Sequence, residues 1–259
     1  VPIPHHFTAE ITTEIIHDSG ASLLLIDSSG DESYAARAAE VAEAAGVTRI
    51  IDVSGKPAWG AVSYRDFVKG GNAGGAPPLN GFESEHPLFL IYANSATGIP
   101  RGSVFATGGY LVQASSSFRS IFLSNRPSGE DTTVACTVPL ASAAGQSYGF
   151  WGPLLNGGAV LIFRDGISVE SLERASAECP SCALLASPRL LTSLKRGFRD
   201  TALPEKRRFS LVACCGDVLS PRLIRFAGST LTTGPDNVIN LWIQSESGTA
   251  LINTFPTGE

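Results

Sequence analysis

Short apolar runs recur along this chain, each separated from the next by a stretch with helical character, and that alternation restricts the fold more than any other feature. Residues 21–27 (ASLLLID) form a continuous apolar run suited to a buried strand. An Ala- and Glu-rich helix is predicted at 31–45, and a second strand at 47–53 (VTRIIDV). These make one βαβ unit, and its crossover connection requires the two strands to be parallel. Residues 87–92 read as the next buried strand, running directly into a turn containing Gly98 and Gly102, after which 103–122 reads as one long helix. Further strands are predicted at 132–138, 159–163, 182–186, 209–214 and 238–242, with helices at 145–155, 168–177, 188–198 and 221–226. The expected class is α/β, with two lobes of mostly parallel sheets flanked by helices. A Gly/Pro loop at 70–80 and a turn cluster at 124–131 (SNRPSGED) punctuate the chain. The second of these sets the expected lobes at 1–127 and 128–259.

Composition narrows the function. Of the 259 residues 43% are hydrophobic, enough to bury a core. The net charge is −5 with no basic stripe, so neither nucleic acid nor an anionic membrane is expected as a partner. The longest apolar runs, such as 23–26 and 160–163, are strand-sized and far too short to span a bilayer. Five cysteines is an odd count, which argues against a disulfide framework and for a reducing, cytoplasmic setting. Cys179 and Cys182 have the spacing of half a zinc site, but all four histidines lie far upstream, so buried, inert thiols are expected. The N-terminus has neither the basic start nor the apolar stretch of a signal peptide. With no methionine anywhere, the chain is expected to be an excised or incompletely represented piece.

The chemistry is expected where the strand at 88–92 meets a loop of small residues and glycines (LFLIYANSATGIPRG). Such a loop at a helix start exposes backbone N–H groups and makes an anion site. The spacing is not that of a Walker A loop, because no Gly-Lys-Ser/Thr closes it. Arg101 at a helix start would be unfavourable with the helix dipole unless an anion sat there. Asn94 and Thr97 read first as turn formers, and Asp217 either caps the helix beyond it or flanks a ligand. Gly145-Gln146-Ser147-Tyr148-Gly149 matches a nucleophile elbow. That elbow needs a strand immediately before it and a histidine after it, and neither is present.

Several segments resemble acetyl-CoA synthetases and their acyl-CoA synthetase relatives, the adenylate-forming (AMP-binding) superfamily. Leu88-Phe89-Leu90-Ile91-Tyr92, Thr97-Gly98-x-Pro100-Arg101-Gly102 and Thr107-Gly108-Gly109-Tyr110-Leu111 are similar to that family's phosphate-loop region. Gly145-x-Ser147-Tyr148 with Gly152-Pro153-Leu154-Leu155-Asn156-Gly157 resembles its acyl and nucleotide pocket lining. Gly216-Asp217-x-Leu219-Ser220-Pro221 resembles its adenine-contacting stretch, and Trp242-x-Gln244-Ser245-Glu246-Ser247-Gly248 its Trp-Gln-Thr-Glu-Thr-Gly motif. The resemblance implies a two-step ligase. A small carboxylic acid attacks the α-phosphate of ATP to give an acyl-adenylate, and CoA or a carrier thiol then takes the acyl group. Carried over by position, Glu246 holds Mg2+ and Ser245 bonds the phosphate. Gly216, Asp217, Trp242 and Gln244 line the AMP site, while Thr97, Gly98, Arg101 and Gly102 manage the β- and γ-phosphates. Ser142, Gly145 and Gln146 fall in the acyl pocket.

The departures from the family pattern are as informative. Where the family carries a hydroxyl-rich Thr-Ser-Gly-Ser-Thr-Gly run, this chain has Ala93-Asn94-Ser95-Ala96-Thr97-Gly98, and Arg101 stands for a lysine. Ser142 replaces the acetate-pocket tryptophan, which enlarges the expected acyl pocket; Pro139 and Gln146 replace an aspartate and a histidine. The large domain is expected to be incomplete at both ends, lacking the small C-terminal domain, so that a partner chain or further residues complete it. The alternative reading is a catalytically impaired pseudoenzyme or nucleotide-binding module that keeps the fold.

Overall fold

The computed structural model describes residues 1–4, 7–29, 32–57, 60–71, 81–93, 98, 100–124, 133–163, 166–179, 182–198 and 202–254. The chain divides into two compact units, one built on Ile3–Glu83 and Phe89–Val104, the other on Ser84–Leu88 and Phe105–Glu259. The division falls before the long helix that the sequence reading assigned to the first lobe. The 124–131 turn cluster lies almost wholly outside the described residues.

The first unit opens with α1 (Ala9–Ser19), unforeseen from sequence. The Thr8 hydroxyl accepts from Ile11 N at its start, and Gly20 at φ 64° closes it in the left-handed conformation. β1 (Leu23–Ile26), α2 (Glu32–Ala44) and β2 (Arg49–Asp52) follow as the expected βαβ unit, with Leu23 opposite Arg49 in a parallel register. β3 (Val62–Ser63) joins β2 in parallel, and α3 (Tyr64–Gly70) leads to the 72–80 stretch, which is outside the described residues. One face of this sheet packs Ile26 and Ile50 against Ile16, Val41 and Ala42. On the other face Leu23 and Leu25 are 39% and 57% exposed although Ile51 beside Leu25 is buried, so the run expected to be fully buried is buried on one side only. At the strand ends the buried Asp52 carboxylate accepts from Ser28 N (3.3 Å), Ser28 Oγ (2.5 Å) and Ser54 N (2.9 Å). A buried carboxylate holds its place only with such partners.

β4 (Pro87–Ala93) and β5 (Arg101–Ala106) form a two-stranded sheet. β5 corrects the sequence reading, which ran a helix from residue 103. The helix α4 (Thr107–Phe122) begins four residues later, and its N-cap, Ala106, has no side-chain capping bond. Pairing with β4 decides the conformation of 101–106, and no local signal announces it.

The second unit holds a six-stranded sheet of order β11-β10-β9-β8-β6-β7. Its strands are β6 (Thr133–Cys136), β7 (Ala159–Ile162), β8 (Ala183–Ala186), β9 (Leu211–Cys215), β10 (Val238–Ile243) and β11 (Ala250–Asn253). β6 to β10 are mutually parallel, and β11, not foreseen, runs antiparallel to β10. Residues alternate strictly between faces. Ala135, Leu184, Val212 and Cys214 join one core with α7 (Val169–Glu178), α8 (Pro188–Phe198) and α9 (Pro221–Thr230). Val134, Leu185, Ala213 and Cys215 join another with α4 and the helical stretch 143–155. Helices on both faces of a parallel sheet explain why β8 and β9 read as continuous apolar runs. No helix among the described residues is long and apolar enough to cross a membrane.

Burial pushes the thiols of Cys136 to about 11 and of Cys214 and Cys215 to about 12. Cys182 is 2% exposed, and only Cys179 is part-exposed. At pH 8 an aromatic disulfide reagent is therefore expected to modify Cys179 alone in the folded protein and all five cysteines in guanidinium, since the thiolate is the reacting species. Rapid modification of three or more thiols in the native state would contradict this placement.

Candidate functional site

The residues singled out in the second unit follow the carboxyl ends of parallel strands of one sheet. Ser142, Gly145 and Gln146 follow β6, Gly216 and Asp217 follow β9, and Gln244, Ser245 and Glu246 follow β10. In open α/β sheets this edge is where ligands bind, because every strand delivers its following loop to the same side.

After β6 the chain turns into a helical stretch made of α5 (Ala143–Gln146), a π-turn (Ser147–Trp151) and α6 (Gly152–Leu155). Ser142 is the N-cap. Its hydroxyl accepts from Gly145 N (3.1 Å) and donates to Pro139 O (2.7 Å). The Gln146 side chain is held at both ends, with Nε2 donating to Leu140 O (2.6 Å) and Oε1 accepting from Trp151 Nε1 (3.1 Å). Gly145, Gly149 and Gly152 let this stretch close on its surroundings. A Cβ on them would meet Pro139 O at 2.1 Å, Cys136 Sγ at 2.4 Å and Ser147 O at 2.5 Å respectively. Ser147 is fully buried, and its hydroxyl donates to Gly248 O at 2.6 Å. An inward, hydrogen-bonded hydroxyl is not an exposed nucleophile, which agrees with the rejection of an elbow.

After β9, Gly216 takes φ 94° in open space and Asp217 is exposed. The Asp217 carboxylate accepts from Val218 N (2.7 Å), whereas Ser220 occupies the N-cap of α9. Asp217 therefore does not occupy the N-cap of α9.

After β10 a tight turn carries the third group. Gln244 O accepts from Ser247 N and Gly248 N, each at 3.2 Å, leaving Ser245 half-buried and Glu246 exposed. Trp242, on β10, is 50% exposed. The turn rests on side chains that sequence reasoning missed as functional. Tyr110 and Gln113 of α4 reach Ser147 Oγ (2.7 Å) and Thr249 Oγ1 (2.6 Å), and Ala250 N donates to the Tyr148 hydroxyl (2.8 Å). These partners lie up to 136 residues apart, and no spacing rule connects them.

The phosphate-loop residues belong to the first unit. Residues 94–97, including Thr97, lie outside the described residues. Gly98 has φ 81° with open space around it, and Arg101 is exposed at the first position of β5. Gly102 is a glycine because the Tyr92 ring lies on it: a Cβ there would be 2.9 Å from Tyr92 Cζ. That ring is buried, its hydroxyl donating to Asp18 Oδ2 (2.6 Å). Arg101 lies on a strand, and the first amides of α4 are already used, Thr107 N donating to His86 O and Gly108 N to Ser84 O, both at 2.8 Å. Arg101 therefore does not stand at the helix start where it was expected.

For metal chemistry, the described residues contain no group of three His, Cys, Asp or Glu side chains able to hold an ion. The Ser245–Glu246 pair offers a hydroxyl and one carboxylate, a hard oxygen set. This suits Mg2+, which keeps several waters and takes further ligands from substrate phosphates.

Comparison with known proteins agrees on one family. The family described as AMP-binding enzyme matches residues 1–259. The acetyl-coenzyme A synthetase of Mycobacterium bovis is 28% identical over 192 residues, covering 72% of this chain and 29% of that protein. The Aeromonas salmonicida enzyme of the same name is 27% identical over 183 residues, covering 69% and 28%. Among solved structures, the anthranilate CoA ligase AuaEII in complex with anthranoyl-AMP aligns with a TM-score of 0.80 at 16% identity, over 99% of this chain and 47% of that one. A benzoate CoA ligase from Burkholderia xenovorans aligns with a TM-score of 0.74 at 14% identity, over 98% and 47%. The chain thus spans about three-tenths of these curated relatives and just under half of these structural neighbours.

Proposed function

The chain belongs to the AMP-binding enzyme family, and from that premise we propose that it is part of an ATP-dependent carboxylate ligase. The reaction is attack of a small carboxylic acid on the α-phosphorus of ATP, release of pyrophosphate, and transfer of the acyl group from the acyl-adenylate to CoA or a carrier thiol. The observation that carries this reading is the convergence of three family-like motifs on the carboxyl ends of β6, β9 and β10.

Each residue then has a place. Gly216 and Asp217, beside the exposed Trp242 and Gln244, flank the nucleotide. Gly145, Gln146 and Ser142 shape the acyl side, where the small Ser142 leaves more room than a tryptophan. Ser245 donates to a phosphate oxygen, and Glu246 offers its carboxylate to Mg2+. Arg101, with Gly98, Gly102 and Thr97, serves the β- and γ-phosphates. When bound, the metal supplies charge neutralisation at the triphosphate; the protein's part is to fix the angle of attack. A cytoplasmic setting, with its reduced thiols and ATP, suits this chemistry.

Calorimetry with ATP tests the reading. Binding strengthened by Mg2+ is expected, and Glu246→Gln is expected to lose about tenfold of affinity in Mg2+ and almost none in EDTA, a charged contact being worth on the order of 1.5 kcal/mol. No binding at millimolar ATP would rule out the reading. A second reading, a nucleotide-binding module without turnover, is favoured by the alanines at positions 93 and 96, where the resemblance to the family's phosphate loop implies hydroxyls. Carboxylate-dependent pyrophosphate exchange on the complete natural protein separates the two.

A further inference from the structure

Among the described residues, side chains grip the turn carrying Ser245 and Glu246 along the arm that leads into β11. Gly248, Thr249 and Ala250 are each gripped by a different side chain: Ser147 takes Gly248 O, Gln113 takes Thr249 Oγ1, and Tyr148 takes Ala250 N. Proton counting fixes the direction of the network. Gly248 O can only accept, so the single Ser147 proton is used there, and the Tyr110 hydroxyl must donate to Ser147 Oγ across 2.7 Å. Likewise Tyr148 accepts from Ala250 N and donates to Ser117 Oγ (3.2 Å).

The π-turn makes this grip possible. Its wider winding brings the consecutive residues Ser147 and Tyr148 nearer to one side than an α-helix would, so both reach the same extended segment. Gly248 seals the contact: at φ 74°, any Cβ there would lie 2.7 Å from the Phe105 ring and 3.0 Å from that of Tyr110. Those rings are themselves fixed edge to face, with centroids 5.2 Å apart. Ser147 and Thr249 are 0% and 1% exposed, so this polar chain sits where an apolar core would stabilise equally well. What a satisfied buried network adds is one defined geometry.

We propose that Ser147, with Tyr110 and Tyr148, is a positioning residue that holds the 244–249 turn so that Glu246 meets a metal–nucleotide at a fixed place. This rests on the ligase reading for its purpose, but the clamp itself does not. Two measurements on the same variant therefore separate them. In Ser147→Ala, amide hydrogen exchange of 245–250 is expected to quicken about tenfold while β8 and β9 are unchanged, since Gly248 O loses its donor and the Tyr110 hydroxyl its acceptor, which releases a local opening. Unchanged exchange in 245–250, or a uniform rise across the unit, would overturn the clamp. In calorimetry, Ser147→Ala is expected to lose about fivefold of the Mg2+-dependent gain in ATP affinity, with metal-free affinity held within about twofold. Proportional loss with and without Mg2+ would reduce Ser147 to a structural part. Should Ser147→Ala fail to fold, Tyr148→Phe, which keeps the ring and removes the acceptor for Ala250 N, is read in the same two ways. If the unaltered chain binds no ATP with Mg2+, the ligase reading falls while the exchange measurement still decides the clamp.

Discussion

Gly145→Ala is expected to lower the stability of the Phe105–Glu259 unit by on the order of 3 kcal/mol or more, although helix propensity alone points the other way. In a helix Ala is favoured over Gly by about 1 kcal/mol. Here the added methyl would lie 2.1 Å from Pro139 O and 2.7 Å from Leu140 Cα, backbone atoms that cannot swing aside as a side chain does. Three hydrogen bonds pin that backbone, from Ser142 N and Ser142 Oγ to Pro139 O and from Gln146 Nε2 to Leu140 O. Relief of the overlap breaks them and moves the residues assigned to the acyl side. Urea unfolding followed by circular dichroism reads the outcome, and a midpoint at or above that of the unaltered chain would refute the close approach.

Phe118→Ala is expected to cost about 3–5 kcal/mol, a large part of the roughly 5–15 kcal/mol typical of a whole domain. Phe118 is fully buried and stacks on Phe122 with centroids 4.8 Å apart and planes 13° apart. It also fills the space left open at Gly152, whose missing Cβ would lie 2.9 Å from Phe118 Cβ. Removing the ring undoes the seat of both α4 and the helical stretch that presents Ser147. A urea midpoint shifted by less than a third of the expected amount, with an unchanged slope, would mean that the site collapses around the loss.

What the sequence made legible was the sheet of the second unit. β6 to β10 are runs of four to six residues, and those buried on both faces, such as LVACC at Leu211–Cys215, are apolar throughout. α8 was legible to the residue, because Pro188 opens it and its buried positions Leu191, Leu194 and Phe198 keep helical spacing. β5 was not legible. RGSVFA is short and follows a glycine turn, and its conformation comes from a partner strand rather than from its own residues. The candidate site was legible only through motif resemblance. Asp217, Glu246 and Trp242 carry no periodicity that marks them, and Ser147 looked like the middle of a pocket-lining segment. Its actual bond is to a carbonyl 101 residues away. Buried polar pairing is set by the folded chain, and local spacing holds no record of it.

The order of the six-stranded sheet has a consequence for how the second unit is made. β7 pairs with one edge of β6, and β8, β9, β10 and β11 then add in turn to the opposite edge, each beside the outermost strand already there. A ribosome delivering these strands in order thus extends the sheet at one growing front, and none of them has to be threaded between two that have already paired. β11 arrives after the other five, and its first residue is the one that Tyr148 receives. The Glu246 turn therefore closes only once the rest of this sheet has emerged.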